Sequence, residues 1–391
     1  MISVNEALEK LFTLAKVTTV EKIELRKCLG RVLAGPLRAT SNNPPFPSSA
    51  MDGYAINKKD LKFGKEFKVI GESAAGHSYN KAINQNEAVR IFTGSRIPDG
   101  ANFVIIQEDV EALGASIKVR ENFDKKSHIR MEGSDFSIGH TVMAPLILGA
   151  KDISLIAAMN FSHISVRKKP IVAIISTGDE LVFPGEIPKS DQIIASNAFG
   201  IAALCEDSGA ATRILPIAQD NLKSIEYIMG LAQDADVIIT IGGASVGKYD
   251  LVNAATKNLG IDKSFYKVAM RPGKPLMAGK INNTPIIGLP GNPVSALVCG
   301  YVFIKPLIHA MLGLERKSTP RLKALCSNPI PENGPREHYM RAVLLPNGCL
   351  KPMENQDSAR LALLSDSNAL LIRPPHAKAI PADTLCEYIK I

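Results

Sequence analysis

The chain has 391 residues, 46% of them apolar and 21% charged, with a formal net charge of +8. That composition excludes a largely disordered or low-complexity chain, and at about 150 residues per domain the length predicts roughly two to three domains. The charge points to anionic partners, but no Trp, 5% aromatics and dispersed basic residues (167–169 come nearest to a cluster) speak against nucleic acid.

The first predicted element is a helix. Ser3 and Glu6 form a capping box, and Val4, Ala7, Leu8, Leu11 and Leu14 make a helical stripe. A Pro-rich loop follows at 43–47. From about 62 to 145 short apolar runs such as 88–92 and 103–106 alternate with Gly, Asn and Asp turns, which reads as a β-rich unit. A second helix is expected at about 153–161, so the β unit is an insertion between helical pieces.

From 170 to 313 strands alternate with helices. IVAIIST is a strand, and Ser196 is placed to cap the helix NAFGIAALCED. TRILPI, a helix at about 222–233 and the buried strand VIITI follow. After a Gly-rich loop, a helix begins near Asp250. Strands at 266–270 and 285–289 precede a long apolar helix capped by Asn292 with Pro293 at its first position. This alternation predicts a mainly parallel sheet with helices on both faces. Beyond 320, apolar runs at 324–326, 342–345, 369–372 and 385–389, with an Asn347–Gly348 hairpin signal, predict a small barrel or sandwich.

Several function classes drop out. None of the six cysteines forms a CxxC pair or has a His at metal-ligand spacing, so a zinc site or disulfide framework is not expected. Acidic Glu6 and Glu9 lie where a signal peptide needs its apolar stretch, and the cytoplasm is the expected compartment. The longest uncharged run, 281–304, contains Pro285, Pro290 and Pro293 and reads as no membrane span. The histidines are scattered with no GxSxG motif, which excludes a nucleophilic hydrolase of that kind.

Four motifs fall past strand ends of the α/β region, where open parallel sheets bind ligands. In IGGASVGKYD, Gly242, Gly243 and Gly247 permit close backbone approach to a phosphate, with Ser245 among them. Gly242 to Lys248 matches GxxxxGK, but Tyr249 stands where a P-loop needs Ser or Thr, so a standard P-loop NTPase is rejected. TGDEL supplies Thr177, Gly178, Asp179 and Glu180. With Asp220 and Asp250 its acids form a carboxylate set suited to Mg²⁺, although each alone also fits helix capping. RPGKP puts Arg271 and Lys274 on a rigid turn suited to an oxyanion or diphosphate, or merely to a solvated turn. GLPGNPVS brings Pro290, Gly291, Asn292, Pro293 and Ser295 to a helix start that can bind an anion or simply begin a helix.

SAMDGYA, RIFTGSRIPDGA, STGDEL, IGGASVGKYD, RPGKP and GLPGNPVSA, in this order, resemble the molybdopterin molybdenumtransferase (MoeA) family, which is similar to the E domain of gephyrin. The resemblance covers essentially the whole chain. It implies insertion of molybdenum from molybdate into adenylylated molybdopterin, with Mg²⁺ and release of AMP. It also implies a homodimer with the site built between protomers, and the molybdopterin adenylyltransferase as an associated enzyme. The fold it implies has a central α/β domain of the molybdopterin-binding (MoCF-like) type at 170–313. A helical/linker domain would cover 1–42 and 140–169, an inserted β-rich domain 43–139, and a C-terminal β-barrel 314–391. By motif match Asp52, Thr93 and Asp135, the acids Glu180, Asp220 and Asp250 (which would hold the metal), and the cations Lys267 and Arg271 correspond to catalytic positions. Arg336 and Arg341 of PREHYMRA correspond to further substrate cations. Arg271 stands where the family usually has Lys, Ser95 where it has Ala, and Ala244 where it has Val. Two alternatives are the adenylyltransferase itself and a non-catalytic scaffold of the gephyrin E type.

Overall fold

The computed structural model describes residues 1–242 and 260–391. The expected helix following the Gly-rich loop, together with Gly243, Ser245, Gly247 and Asp250, lies outside the described residues. The first helix spans Val4–Leu14 and carries the expected capping box: Ser3 Oγ accepts from Glu6 N–H, and the Glu6 carboxylate accepts from Ser3 N–H.

The linker part is a four-stranded antiparallel sheet. It interleaves Val20–Glu24 and Val32–Leu33 with Leu146–Ile147 and His163–Arg167, so the chain leaves and returns to one sheet. The helix Ala150–Ala158 starts three residues before the expected 153, because Asp152 accepts from the Gly149 amide and sets the start there. Between these segments a six-stranded mixed sheet runs from Gly53 to Val119 with its own core of Ile56, Phe67, Phe103 and Ile117.

The α/β sheet has the order Ala211–Ile214, Ile171–Ser176, Val237–Ile241, Thr284–Leu289, Met277–Ile281, Asp262–Tyr266. The first four strands are parallel, Met277–Ile281 runs against them, and Asp262–Tyr266, antiparallel to it, runs with the first four again. The strand Met277–Ile281 was not expected. Asn282 and Asn283, at φ +46° and +74°, make a tight hairpin turn into Thr284–Leu289, a geometry Asn tolerates. The single strand expected at 266–270 is split, because Lys267 adopts φ +67° and breaks the extended run. Helix Ser196–Asp207 begins with Ser196 already helical, so Ala195 and not Ser196 holds the cap position. Helix Leu222–Gly230 is capped by Asn221, whose side chain accepts from Ser224 N–H.

The helix Pro293–Met311 is long and apolar enough to cross a membrane by length and composition, but 78% of its apolar window is buried in the protein. It is a core helix, packed between the sheet, helix Ser196–Asp207 and the first helix. The first helix therefore belongs to the α/β core and not to the linker unit in which the sequence placed it: Val4, Leu8, Leu11 and Phe12 share one buried cluster with Phe265, Leu276 and Leu312. Its stripe is apolar enough to serve either neighbour, and the contacts decide.

The C-terminal strands Leu322–Cys326, Glu337–Leu344, Leu350–Pro352, Ala369–Arg373 and Thr384–Lys390 close into a five-stranded barrel. Met270–Arg271 leaves the α/β domain to pair with Glu337–His338 on that barrel. Tyr339, Leu370, Ile372 and Ile389 bury themselves in the α/β core cluster, so the two domains share a core. That shared packing sets the barrel beside the ends of the parallel strands.

Candidate active site

Three parallel strands end side by side. Thr177 N–H donates to Ile241 O at 3.0 Å, and Gly242 N–H donates to Leu289 O at 3.2 Å. Gly242 has φ +93°, and a Cβ there would lie 2.7 Å from the Thr177 carbonyl oxygen. A Cβ on Gly178, at φ +149°, would lie 2.4 Å from the Glu180 carboxylate. Only glycine fits either place, so the strand ends form a shelf whose backbone a ligand can approach closely. The turn Pro290–Gly291 stands against this shelf, with the site of a Gly291 Cβ 3.7 Å from Gly242 Cα. Thr177 Oγ1 is buried there with no hydrogen-bond partner among the described residues, a donor and acceptor that a ligand or water can use.

The acids Asp179, Glu180 and Asp220 line one side of the shelf. Asp220 N–H donates to Asp179 Oδ1 at 3.0 Å, which ties the two loops together. Partial burial, then the charges of Asp179 and Glu180, push the Asp220 carboxyl above its ordinary range. Among the described residues no three carboxylates, His or Cys converge into a ready metal cage. The donor set still fits a hard divalent cation: it is all oxygen, and its mutual repulsion is what such an ion relieves.

The cations lie on the other side, at the junction with the barrel. Lys267 N–H donates to Leu276 O at 2.9 Å, Val268 N–H donates to Lys274 O at 3.0 Å, and the Lys267 ammonium sits 4.9 Å from the centre of the Tyr266 ring. Gly273, at φ +106°, passes so close to Cys299 that a Cβ would lie 2.5 Å from its sulfur. Arg336 Nη1 donates to Met270 O at 3.4 Å, clamping the turn to the barrel. Arg271 is exposed and opens onto a cleft of about 620 Å³ that His338, Gln356, Asp357 and Arg373 also line.

Two expected substrate contacts are corrected. Arg341 is 1% exposed, and its guanidinium donates to Arg360 O at 3.1 Å and Asn355 O at 3.0 Å. It is an internal strut of the barrel, and its guanidinium is turned to these carbonyls and not to the surface. Ser295 is buried in the first turn of the long helix, below the surface on which Gly291 lies. Asn292 occupies the cap position but does not cap. Its side-chain amide donates to Ser358 Oγ at 3.0 Å, and Val294 N–H donates to Ser358 O. Ser358 and Asn197, whose amide donates to Gly291 O at 2.7 Å, are the residues sequence reasoning missed. Asn197 follows the expected cap at Ser196 and gave only a helix-start signal; Ser358 gave none.

In the inserted β unit Asp52 Oδ1 accepts from Thr93 N–H at 2.7 Å and from Thr93 Oγ1 at 2.8 Å, and these two bonds hold its carboxyl below the ordinary range. Arg90 stacks on the Tyr54 ring beside it. Asp135 Oδ2 accepts from the Asn43 side chain at 2.9 Å, which pins the EGSD turn to the Pro-rich loop. Among the described residues, no hydrogen bond or ion pair joins Asp52, Thr93 or Asp135 to the shelf within one chain.

His338 is 8% exposed. Burial, then the charges of Arg271, Arg336, Arg341 and Arg373, hold its imidazole down to about 4. An unfolded His protonates near 6.5, so its contribution to stability is complete above that pH and is lost as the pH falls toward 4. Between pH 8 and pH 5 the native protein is expected to lose about 2 kcal/mol more than the His338→Gln variant. Urea unfolding at both pH values checks this; identical losses would show that the imidazole is not held neutral.

The family model described as MoeA N-terminal region (domain I and II) matches residues 2–160. That described as probable molybdopterin binding domain matches 173–310, and that described as MoeA C-terminal region (domain IV) matches 323–391. The chain is 32% identical over 369 residues to the molybdopterin molybdenumtransferase of Nostoc sp., covering 90% of this chain and 85% of that protein. It is 33% identical over 382 residues to molybdopterin molybdenumtransferase 2 of Mycobacterium tuberculosis, covering 93% of each. The crystal structure of the molybdopterin biosynthesis MoeA protein from Pyrococcus horikoshii OT3 superposes with a TM-score of 0.86 at 26% identity, over the whole of both chains.

Proposed function

The chain belongs to the MoeA family of molybdopterin molybdenumtransferases, and from that premise we propose that it takes molybdate and adenylylated molybdopterin, uses Mg²⁺, and releases AMP as it forms molybdenum cofactor. It is a transferase of molybdenum cofactor biosynthesis. The observation that carries the finer reading is the juxtaposition at the strand ends: a glycine shelf with acids on one side and a cationic turn on the other.

The backbone at Gly178, Gly242 and Gly291 would bind and orient the diphosphate of the substrate. Asp179, Glu180 and Asp220, with Asp250 outside the described residues, would hold Mg²⁺. When bound, the cation neutralises charge on the phosphoryl oxygens. Arg271 and Lys274, held by the barrel junction, would bind the molybdate dianion, and a guanidinium can give it two parallel hydrogen bonds. Molybdenum's sulfur ligands would come from the substrate's dithiolene, which suits a chain whose cysteines are free and mostly buried. The free thiols are in keeping with a cytoplasmic enzyme.

Two observations support a homodimer with a shared site. Among the described residues Asp52, Thr93 and Asp135 have no link to the shelf in their own chain, and the segment after TGDEL exposes Ile187, Ile193 and Phe199 at 93%, 59% and 45%. Light scattering should give twice the chain mass, and a monomer at working concentration would refute this part. For the reaction, incubation with adenylylated molybdopterin, molybdate and Mg²⁺ should release AMP in step with molybdenum incorporation. Folded protein that releases no AMP refutes the reading.

A further inference from the structure

We propose that Ile2 is a positioning residue for the cationic turn: the backbone at the start of the chain forms the edge against which Lys267, Arg271 and Lys274 are aligned. This rests on the reading above that the turn binds molybdate. Ile2 N–H donates to Lys267 O at 3.2 Å, and Ala269 N–H donates to Ile2 O at 2.7 Å. The two bonds form a parallel bridge between Ile2 and Val268.

The turn needs an outside support. Its own cross-bonds are Lys267 N–H to Leu276 O and Val268 N–H to Lys274 O. Lys267 is left-handed at φ +67°, a conformation a lysine does not favour and keeps only where its surroundings over-determine it. The barrel holds the far end, through Glu337 N–H to Ala269 O and the pairing of Met270–Arg271 with Glu337–His338. Ile2 holds the near end, at the carbonyl of the left-handed residue itself.

Ile2 is in turn anchored. Its side chain packs on the main core, and Ser3 and Glu6 lock the following helix start, from which Val4, Leu8 and Leu11 descend into the core. The first helix is thus a fixed post, and Ile2 is the arm that reaches from it to the turn. Ile2 acts through the backbone of the turn, which makes its effect specific to the substrate that the turn binds.

Ile2→Pro deletes the N–H that Lys267 O accepts and keeps an apolar side chain. The expected result is a rise of about fivefold in KM for molybdate, from loss of one aligned hydrogen bond. KM for adenylylated molybdopterin should stay unchanged, kcat at saturating molybdate should stay within twofold, and hydrogen exchange at the Ala269 amide should speed up. Ile2→Val, which keeps both bonds, should behave as wild type. If Ile2→Pro does not fold, removing Met1 and Ile2 with the Ser3 cap intact deletes both bonds and should give the same split, at least as large. Arg271→Ala is run beside it. If Arg271→Ala raises KM for molybdate and the Ile2 variants do not, the positioning role is refuted. If neither moves it, the reading that the turn binds molybdate has failed, and this inference with it.

Discussion

Asp220→Asn is expected to lower AMP release by about 100-fold, the scale on which positioned charge and proton-transfer groups act, while leaving the fold intact. Asp220 stands at the meeting of two loops, its amide bonded to Asp179 and its carboxyl facing the charges of Asp179 and Glu180. Asparagine keeps the shape and the backbone bond and removes one charge from the set. In the free protein that removal relieves like-charge repulsion, so the melting temperature should stay or rise. A residue whose loss raises stability and abolishes turnover is serving the ligand. Turnover within threefold of wild type would take Asp220 out of the machinery.

Arg341→Ala is expected to destabilise the protein by about 3–4 kcal/mol, near the upper end for single substitutions. The guanidinium is fully enclosed and donates to the carbonyls of Arg360 and Asn355. The Gln356 side chain accepts from the Arg341 amide at 2.9 Å. Truncation leaves buried acceptors unsatisfied and opens a void in the segment that also carries Ser358. Arg341→Met fills much of the void but none of the bonds, and should recover only part of the loss. The measurement is denaturant unfolding of both variants. If Arg341→Met is as stable as wild type yet inactive, the arginine is a substrate cation after all.

The elements with a strong local signal were legible. The capping box at Ser3 and Glu6, the buried run at 237–241 and the Asn347–Gly348 hairpin are where the sequence places them. The misreadings share a cause: local pattern does not report the neighbour. The stripe of the first helix is the same whether it packs on the linker or on the sheet. Lys267 has no reason in its own chemistry to turn left-handed, and in Met277–Ile281 the Gly279 and Lys280 interrupt the apolar run that would mark a strand. At the candidate site, the crowded positions of Gly178 and Gly242 fall in motifs the sequence singled out, because close approach there favours glycine. The chemistry of Arg341 was not: charge in a sequence does not say whether it faces solvent or a ring of carbonyls. Asn197 and Ser358 hold the Gly291 turn from segments 94 and 66 residues away from their partners, a distance no local pattern spans.

The most direct test is a crystal structure with molybdate and a ligand bearing AMP. The phosphates are expected over Gly178, Gly242 and Gly291, with the acids of Asp179, Glu180 and Asp220 on one side. Molybdate is expected on Arg271 and Lys274 on the other. Phosphates bound away from the strand ends, with the glycine shelf untouched, would contradict the assignment of this edge as the active site.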